Sequence, residues 1–123
     1  MKFNQQLGQE IKKYLQYVIV VEGKKDVYSL KAMGFGKVYA VHQTGVSIKE
    51  RVEQIISCLE KRDRVCILTD FDRKGKQLYL LLKKEFVELG VKVDSSLRGI
   101  LLKAHVSHIE GLYEFMRKVE GTL

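Results

Sequence analysis

Proline is absent from the 123 residues, and cysteine occurs only at Cys58 and Cys66. A chain without proline has no position where a missing N–H would break a helix or strand interior, which suits regular elements joined by short turns. The spacing of the two cysteines matches no metal-ligand or redox pattern, so both read as structural thiols of a reducing compartment. No apolar run approaches the ~18 residues of a membrane span, and the start MKFNQQLGQE has no signal-peptide pattern. A cytoplasmic protein is therefore expected. Acidic residues are the minority charge: 15 Asp and Glu stand against 22 Lys and Arg, a formal +7. Such a balance favours polyanionic partners, nucleic acid first. No segment pairs a basic face with a strongly aromatic one, which argues against a membrane-surface role.

What is present is a hydrophobic content of 46%, enough for one domain over residues 1–123 with a core of its own. Phe3, Leu7, Ile11, Tyr14 and Leu15 fall on one face of a helix over 3–15. The β-branched run 17–21 predicts a first strand, 26–33 a helix stopped by Gly34, and 37–42 a second strand. Ser47 and Glu50 form a capping-box pair that starts a helix at Ile48, with Val52, Ile55, Ile56 and Leu59 completing its core face. A central strand follows at 65–70. The helix after it, 74–89, turns Leu78, Leu81, Leu82, Phe86 and Leu89 inward and ends at Gly90. Residues 91–93 predict a short fourth strand, Ser95 or Ser96 a helix through Leu102, and 110–119 a last helix. Strands alternating with helices imply βαβ units: an α/β fold with a mainly parallel sheet of about four strands and helices on both faces.

Two stretches carry the chemistry. The apolar run Val65–Leu68 leads into Thr69-Asp70-Phe71-Asp72-Arg73-Lys74-Gly75. In extended chain Asp70 and Asp72 share a face while Phe71 points away. Two carboxylates side by side repel, and a hard divalent cation such as Mg²⁺ is a common compensation; the plain alternative is a solvated acidic turn. The second stretch, Val20-Val21-Glu22-Gly23-Lys24-Lys25-Asp26, ends the first strand. Parallel strands put Glu22 and Asp70 on the same rim of the sheet, where ligands of such folds bind. The two meet if strands one and three are neighbours, as in the order 2-1-3-4.

These two motifs, in this order and with this gap, resemble the Toprim domain, shared by topoisomerases, bacterial-type primases, OLD-family nucleases and small ribosomal-RNA maturases. Thr44-Gly45-Val46-Ser47-Ile48 is similar to that family's small-residue loop after the second strand, and the resemblance covers about residues 17–115. It implies a Rossmann-like domain in which Asp70 and Asp72 bind Mg²⁺, or Mn²⁺. Glu22 would bind metal too or act as the general acid or base in phosphoryl transfer. Independently of the resemblance, a metal and a nearby carboxylate suit that chemistry. Gly23 would let a phosphate approach the backbone, and Lys24, Lys25, Arg73, Lys74 and Lys76 would meet phosphates on the same rim, although single lysines are more often plain solvated surface. Asp26 reads as first-turn helix charge.

Topoisomerases and primases carry further domains, and this chain has no room for them. A stand-alone module similar to the maturase-like proteins is expected, with a protein partner left open. Tyr14, Tyr17, Tyr28, Tyr39, Tyr79 and Tyr113 read as packing residues rather than nucleophiles. Phosphatases of the haloacid dehalogenase type place D-x-D on the first strand, and Gly23-Lys24 lacks the flanking residues of a P-loop. His105 and His108 would share a helix face, without a third ligand for zinc. Two function classes remain: a Mg²⁺-dependent nuclease or phosphotransferase on RNA or DNA, and a non-catalytic metal-dependent nucleic-acid-binding module or subunit of a larger assembly.

Overall fold

The computed structural model describes residues 5–121, so the expected contribution of Phe3 lies outside the described residues. The elements in chain order are α1 (Gln5–Lys12), β1 (Val18–Val21), α2 (Lys24–Ala32), β2 (Lys37–Ala40), α3 (Ile48–Ser57), β3 (Val65–Ile67), α4 (Arg73–Glu88), α5 (Ser96–Lys103), a 3-10 turn (Ile109–Gly111) and α6 (Leu112–Gly121). The three strands form one parallel sheet in the order β2-β1-β3, with Val18 opposite both Lys37 and Val65. β1 is therefore central, and its four residues are buried.

Alternation along the strands sorts the core into two layers. Ile19, Val21, Cys66 and Leu68 face one side, where Leu7 and Ile11 of α1, Leu30 of α2, Leu97 and Leu101 of α5 and Leu112 and Met116 of α6 cover them. Val18, Val20, Val65 and Ile67 face the other, under Val52 and Ile55 of α3 and Leu82 and Phe86 of α4. Helices thus cover both faces, and a sheet buried on both sides needs the near-continuous apolar strands seen here.

Four expectations are corrected. Residues 91–93 form no full strand: Val93 makes a single parallel bridge with Val65, and Asp94 N–H donates to the Val65 carbonyl at 2.8 Å. The segment is cut short on both sides. Gly90 sits at φ 82° before it, and Asp94 turns immediately to accept the Ser96 N–H. On α4, Leu82 and Phe86 are buried, but Leu81 and Leu89 are 42% and 45% exposed. The stripe follows the i, i+4 row 78–82–86, which leaves Leu81 about one residue's rotation off it. Helix α2 begins two residues early, so Lys24 and Lys25 lie in its first turn rather than in the preceding loop. Tyr28, expected to pack, is 77% exposed.

Both cysteines are free. Burial pushes the Cys66 thiol up to about 12, which keeps it protonated and inert. Cys58, by contrast, is exposed at the C-cap of α3. No helix among the described residues is long and apolar enough to cross a membrane.

Candidate functional site

Because all three strands run parallel, their carboxyl ends share one rim. With β1 and β3 adjacent, Glu22 and Asp70 emerge side by side: Glu22 Oε1 accepts the backbone N–H of Asp70 at 3.1 Å. Asp70 Oδ1 in turn accepts the N–H of Ile109 at 3.0 Å, and Asp72 Oδ1 caps α4 by accepting the Gly75 N–H at 2.8 Å. Each of the three acids is thus held by one main-chain donor, which offsets part of their mutual repulsion. A carboxylate has about four acceptor positions, so each retains capacity for a cation or a proton.

Asp70 and Asp72 also meet His108, which the sequence offered only as a partner of His105. One carboxylate oxygen of each and a ring nitrogen of His108 lie within 4.8 Å of one another. Two hard oxygens and an imidazole form a donor set that fits a divalent cation, and Asp72 and His108 are exposed while Asp70 is half-buried, so water can fill the remaining positions. Glu22 stands beside this group, at the Asp70 N–H. His105 and His108 do not share a helix: α5 ends at Lys103, His105 takes a left-handed φ of 60°, and His108 caps the 3-10 turn. That turn in the chain separates the two rings and delivers His108 to the acids.

Three residues fix the backbone that presents Asp70. Arg98, on α5, stands over the rings of both Phe71 and Tyr79, each centroid 4.4 Å from its guanidinium carbon. Its fork donates to the Thr69 carbonyl at 2.7 Å and to the Asp70 carbonyl at 3.3 Å. Burial lowers its pKa, opposed by Tyr79, Asp70 and Glu22, but an arginine remains charged throughout the accessible range. Thr69 is fully buried and donates its hydroxyl to the Gly75 carbonyl at 2.6 Å. Gly75 is required by contact: a Cβ there would strike the Asp70 carbonyl, 2.5 Å from its carbon and 2.9 Å from Asp70 Cα. Only a glycine lets α4 start this close to the acidic segment. The sequence signal for Arg98 is faint, a single cation inside the otherwise apolar SLRGILL.

Asp26 is more than first-turn charge. It is 8% exposed and accepts the Gly23 N–H at 3.1 Å. Burial raises its pKa, the Gly23 hydrogen bond lowers it, and Asp70, Glu22 and Glu110 raise it further. Asp26 therefore belongs to the acidic cluster of the rim. Gly23 itself is extended, at φ −142° and ψ −176°, and a Cβ there would meet nothing within 4 Å. Nothing inside the protein demands glycine at this position.

Lys24 and Lys25 occupy the first turn of α2, and Arg73, Lys74 and Lys76 the first turn of α4; all five are exposed. Cations at helix N-termini oppose the macrodipole, typically at ~0.3–1 kcal/mol each. Two helices that break the same local rule at the same rim are the kind of departure found where a site must attract anions.

Comparison with known proteins agrees with this geometry. The family model described as "Toprim domain" matches residues 17–99. A UPF0292 protein of Methanosarcina barkeri is 31% identical over 107 residues, covering 83% of this chain and 71% of its own length. A UPF0292 protein of Thermoplasma volcanium is 36% identical over 104 residues, covering 83% of this chain and 85% of its own. A solved structure of a protein from Aquifex aeolicus superposes with a TM-score of 0.71 at 28% identity, covering 89% of this chain and 98% of that one. With strand order, rim acids and family model in agreement, this chain belongs to the Toprim domain family.

Proposed function

We propose that this Toprim protein is a divalent-metal-dependent phosphoryl-transfer enzyme, nuclease-like, acting on RNA or DNA in the cytoplasm. The observation that supports it best is the convergence of Glu22 on the backbone of Asp70 beside the Asp70–Asp72 pair, within a rim whose two flanking helices begin with exposed cations. Asp70 and Asp72 would hold the cation, Mg²⁺ or Mn²⁺. When bound, that cation would stabilise charge on the phosphoryl oxygens. Glu22, within hydrogen-bond reach of the same segment, would move the proton of the attacking or leaving hydroxyl. Gly23, with no side chain and open space where a Cβ would stand, would let a phosphate approach the backbone closely. Lys24, Lys25, Arg73, Lys74 and Lys76 would hold the flanking phosphates as point charges. Free cysteines, one of them exposed, support a reducing compartment.

The test is turnover on labelled single- and double-stranded RNA and DNA with and without metal, comparing wild type with Asp70→Asn and Glu22→Gln. Metal-dependent cleavage lost in Asp70→Asn and reduced about 10²–10⁴-fold in Glu22→Gln is expected, the usual range for a lost general acid or base. Binding without turnover on every substrate would reject the enzyme and leave a metal-dependent binding module.

A further inference from the structure

His108 is not a passing surface histidine, because the chain on both sides of it is tied to the acidic segment. Immediately before it, the Ser107 carbonyl accepts the Phe71 N–H at 3.1 Å; immediately after it, the Ile109 N–H donates to Asp70 Oδ1 at 3.0 Å. These two bonds, one between main chains and one to the Asp70 carboxylate, bracket His108 and set its ring beside Asp70 and Asp72, with the three potential donor atoms inside 4.8 Å. The ring has a further partner: His108 Nδ1 lies 3.1 Å from the Ser107 hydroxyl. A histidine that ligates a metal through one nitrogen commonly holds its other N–H on a neighbouring oxygen, which fixes tautomer and ring direction. In the tautomer whose Nδ1–H donates to the Ser107 hydroxyl, Nε2 keeps the lone pair that a metal would take.

Resting on the metal-dependent reading above, we infer that His108 is the third protein ligand of the cation and makes this a site for first-row transition ions, Mn²⁺ among them, in preference to Mg²⁺. The chemical reason is donor softness. Mg²⁺ takes oxygen donors in tight octahedra and sheds water reluctantly, so an imidazole adds little to its affinity. Transition divalents accept nitrogen readily, with affinities rising along the series from Mn²⁺. A site of two carboxylates alone would discriminate weakly; two carboxylates and an imidazole discriminate through the nitrogen. Ser107 then acts as the partner that aims the ring.

The experiment uses the purified full chain. Mn²⁺ affinity is measured by electron paramagnetic resonance titration and Mg²⁺ affinity by its competition, for wild type, His108→Ala and Asp70→Asn. Pulsed resonance on the Mn²⁺-loaded protein reads directly whether a ¹⁴N nucleus is bound. Wild type should show nitrogen modulation, and His108→Ala should abolish it. The same change should lower Mn²⁺ affinity by at least about tenfold, the scale of disturbing even an outer-shell partner, and leave Mg²⁺ affinity almost unaltered. His108 is exposed, and an unchanged melting temperature of metal-free His108→Ala would show that the fold is intact. Nitrogen modulation that persists in His108→Ala, or an unchanged Mn²⁺ to Mg²⁺ ratio in a protein that still loses Mn²⁺ on Asp70→Asn, would overturn the assignment of His108 and leave the metal site standing. No Mn²⁺ binding by the wild type would overturn both.

Discussion

Replacing Gly75 by alanine sets two effects of opposite sign against each other. Gly75 lies inside α4, three residues past its Asp72 cap, where alanine would ordinarily stabilise a helix by about 1 kcal/mol. Its Cβ, however, would stand 2.5 Å from the Asp70 carbonyl carbon and 2.9 Å from Asp70 Cα, whereas carbon atoms pack at about 3.5–4.0 Å. Relief needs a backbone shift of roughly 1 Å between the start of α4 and the acidic segment, an overpacking cost of typically ~1–3 kcal/mol. Two bonds lie across that gap: Thr69 hydroxyl to Gly75 carbonyl at 2.6 Å, and Gly75 N–H to Asp72 at 2.8 Å. Weakening them adds about 1 kcal/mol each at most. With both bonds weakened, clash and lost bonds together outweigh the propensity gain, for a net loss of up to ~4 kcal/mol. At ~3–6 °C per kcal/mol for a chain of this length, melting should fall by up to about 20 °C. The assay is thermal unfolding followed by circular dichroism, with Gly23→Ala as the control. That position has open space and sits at a cap, where alanine in place of glycine costs up to ~1 kcal/mol. A melting temperature for Gly75→Ala equal to or above wild type would refute the close-approach reasoning.

Mg²⁺ or Mn²⁺ at a hundred times its dissociation constant should stabilise the wild type by about 2.7 kcal/mol. Asp70→Asn and Asp72→Asn should lose that gain while folding normally, because an asparagine oxygen still accepts the Ile109 or Gly75 N–H; equal metal stabilisation of all three proteins would place the cation elsewhere. Arg98→Lys should destabilise by ~1–3 kcal/mol, since an ammonium neither spreads over both Phe71 and Tyr79 nor spans the Thr69 and Asp70 carbonyls; a denaturant midpoint matching wild type would contradict this. Asp26 has its pKa raised by burial, so the folded state holds its proton more tightly than the unfolded chain does. The sign follows: its contribution to stability is present below the ordinary carboxylate range and is lost as pH rises through the folded-state pKa. Asp26→Asn, which keeps an acceptor for Gly23, should therefore melt higher than wild type at pH 7 and lose that advantage near pH 3; a constant difference across this range would exclude the titration. Changing Lys74 and Lys76 together to alanine should weaken nucleic-acid binding and reduce the log–log salt slope by up to ~0.7–0.9 per lost phosphate contact, and an unaltered slope would remove both from the phosphate path.

The sequence by itself determined the fold and the family. Runs such as Val18–Val21 are buried on both faces wherever they sit in a parallel sheet, so pattern alone identifies them. Asp70, Asp72 and Glu22 follow such runs directly, so the rim they occupy was legible from strand direction. Local pattern failed where neighbours decide. Leu81 and Leu89 are apolar yet exposed, because they lie off the i, i+4 row through Leu82 and Phe86 that faces the core. Val91 and Val93 read as a strand, but the turn at Gly90 and the cap at Asp94 leave room for one bridge. Tertiary structure alone joined residues far apart in the chain: Arg98 to the carbonyls of Thr69 and Asp70, Asp26 to the acids of the rim, and His108 to Asp70 and Asp72. No spacing rule reports these contacts: those of Arg98 and His108 depend on how α5 and the loop after it pack back against the carboxyl end of β3, and that of Asp26 with Asp70 on β1 and β3 being neighbours. Hydrophobic periodicity specifies which face of an element is buried; which side chain then stands within reach of a given carboxylate is set only once those faces have met.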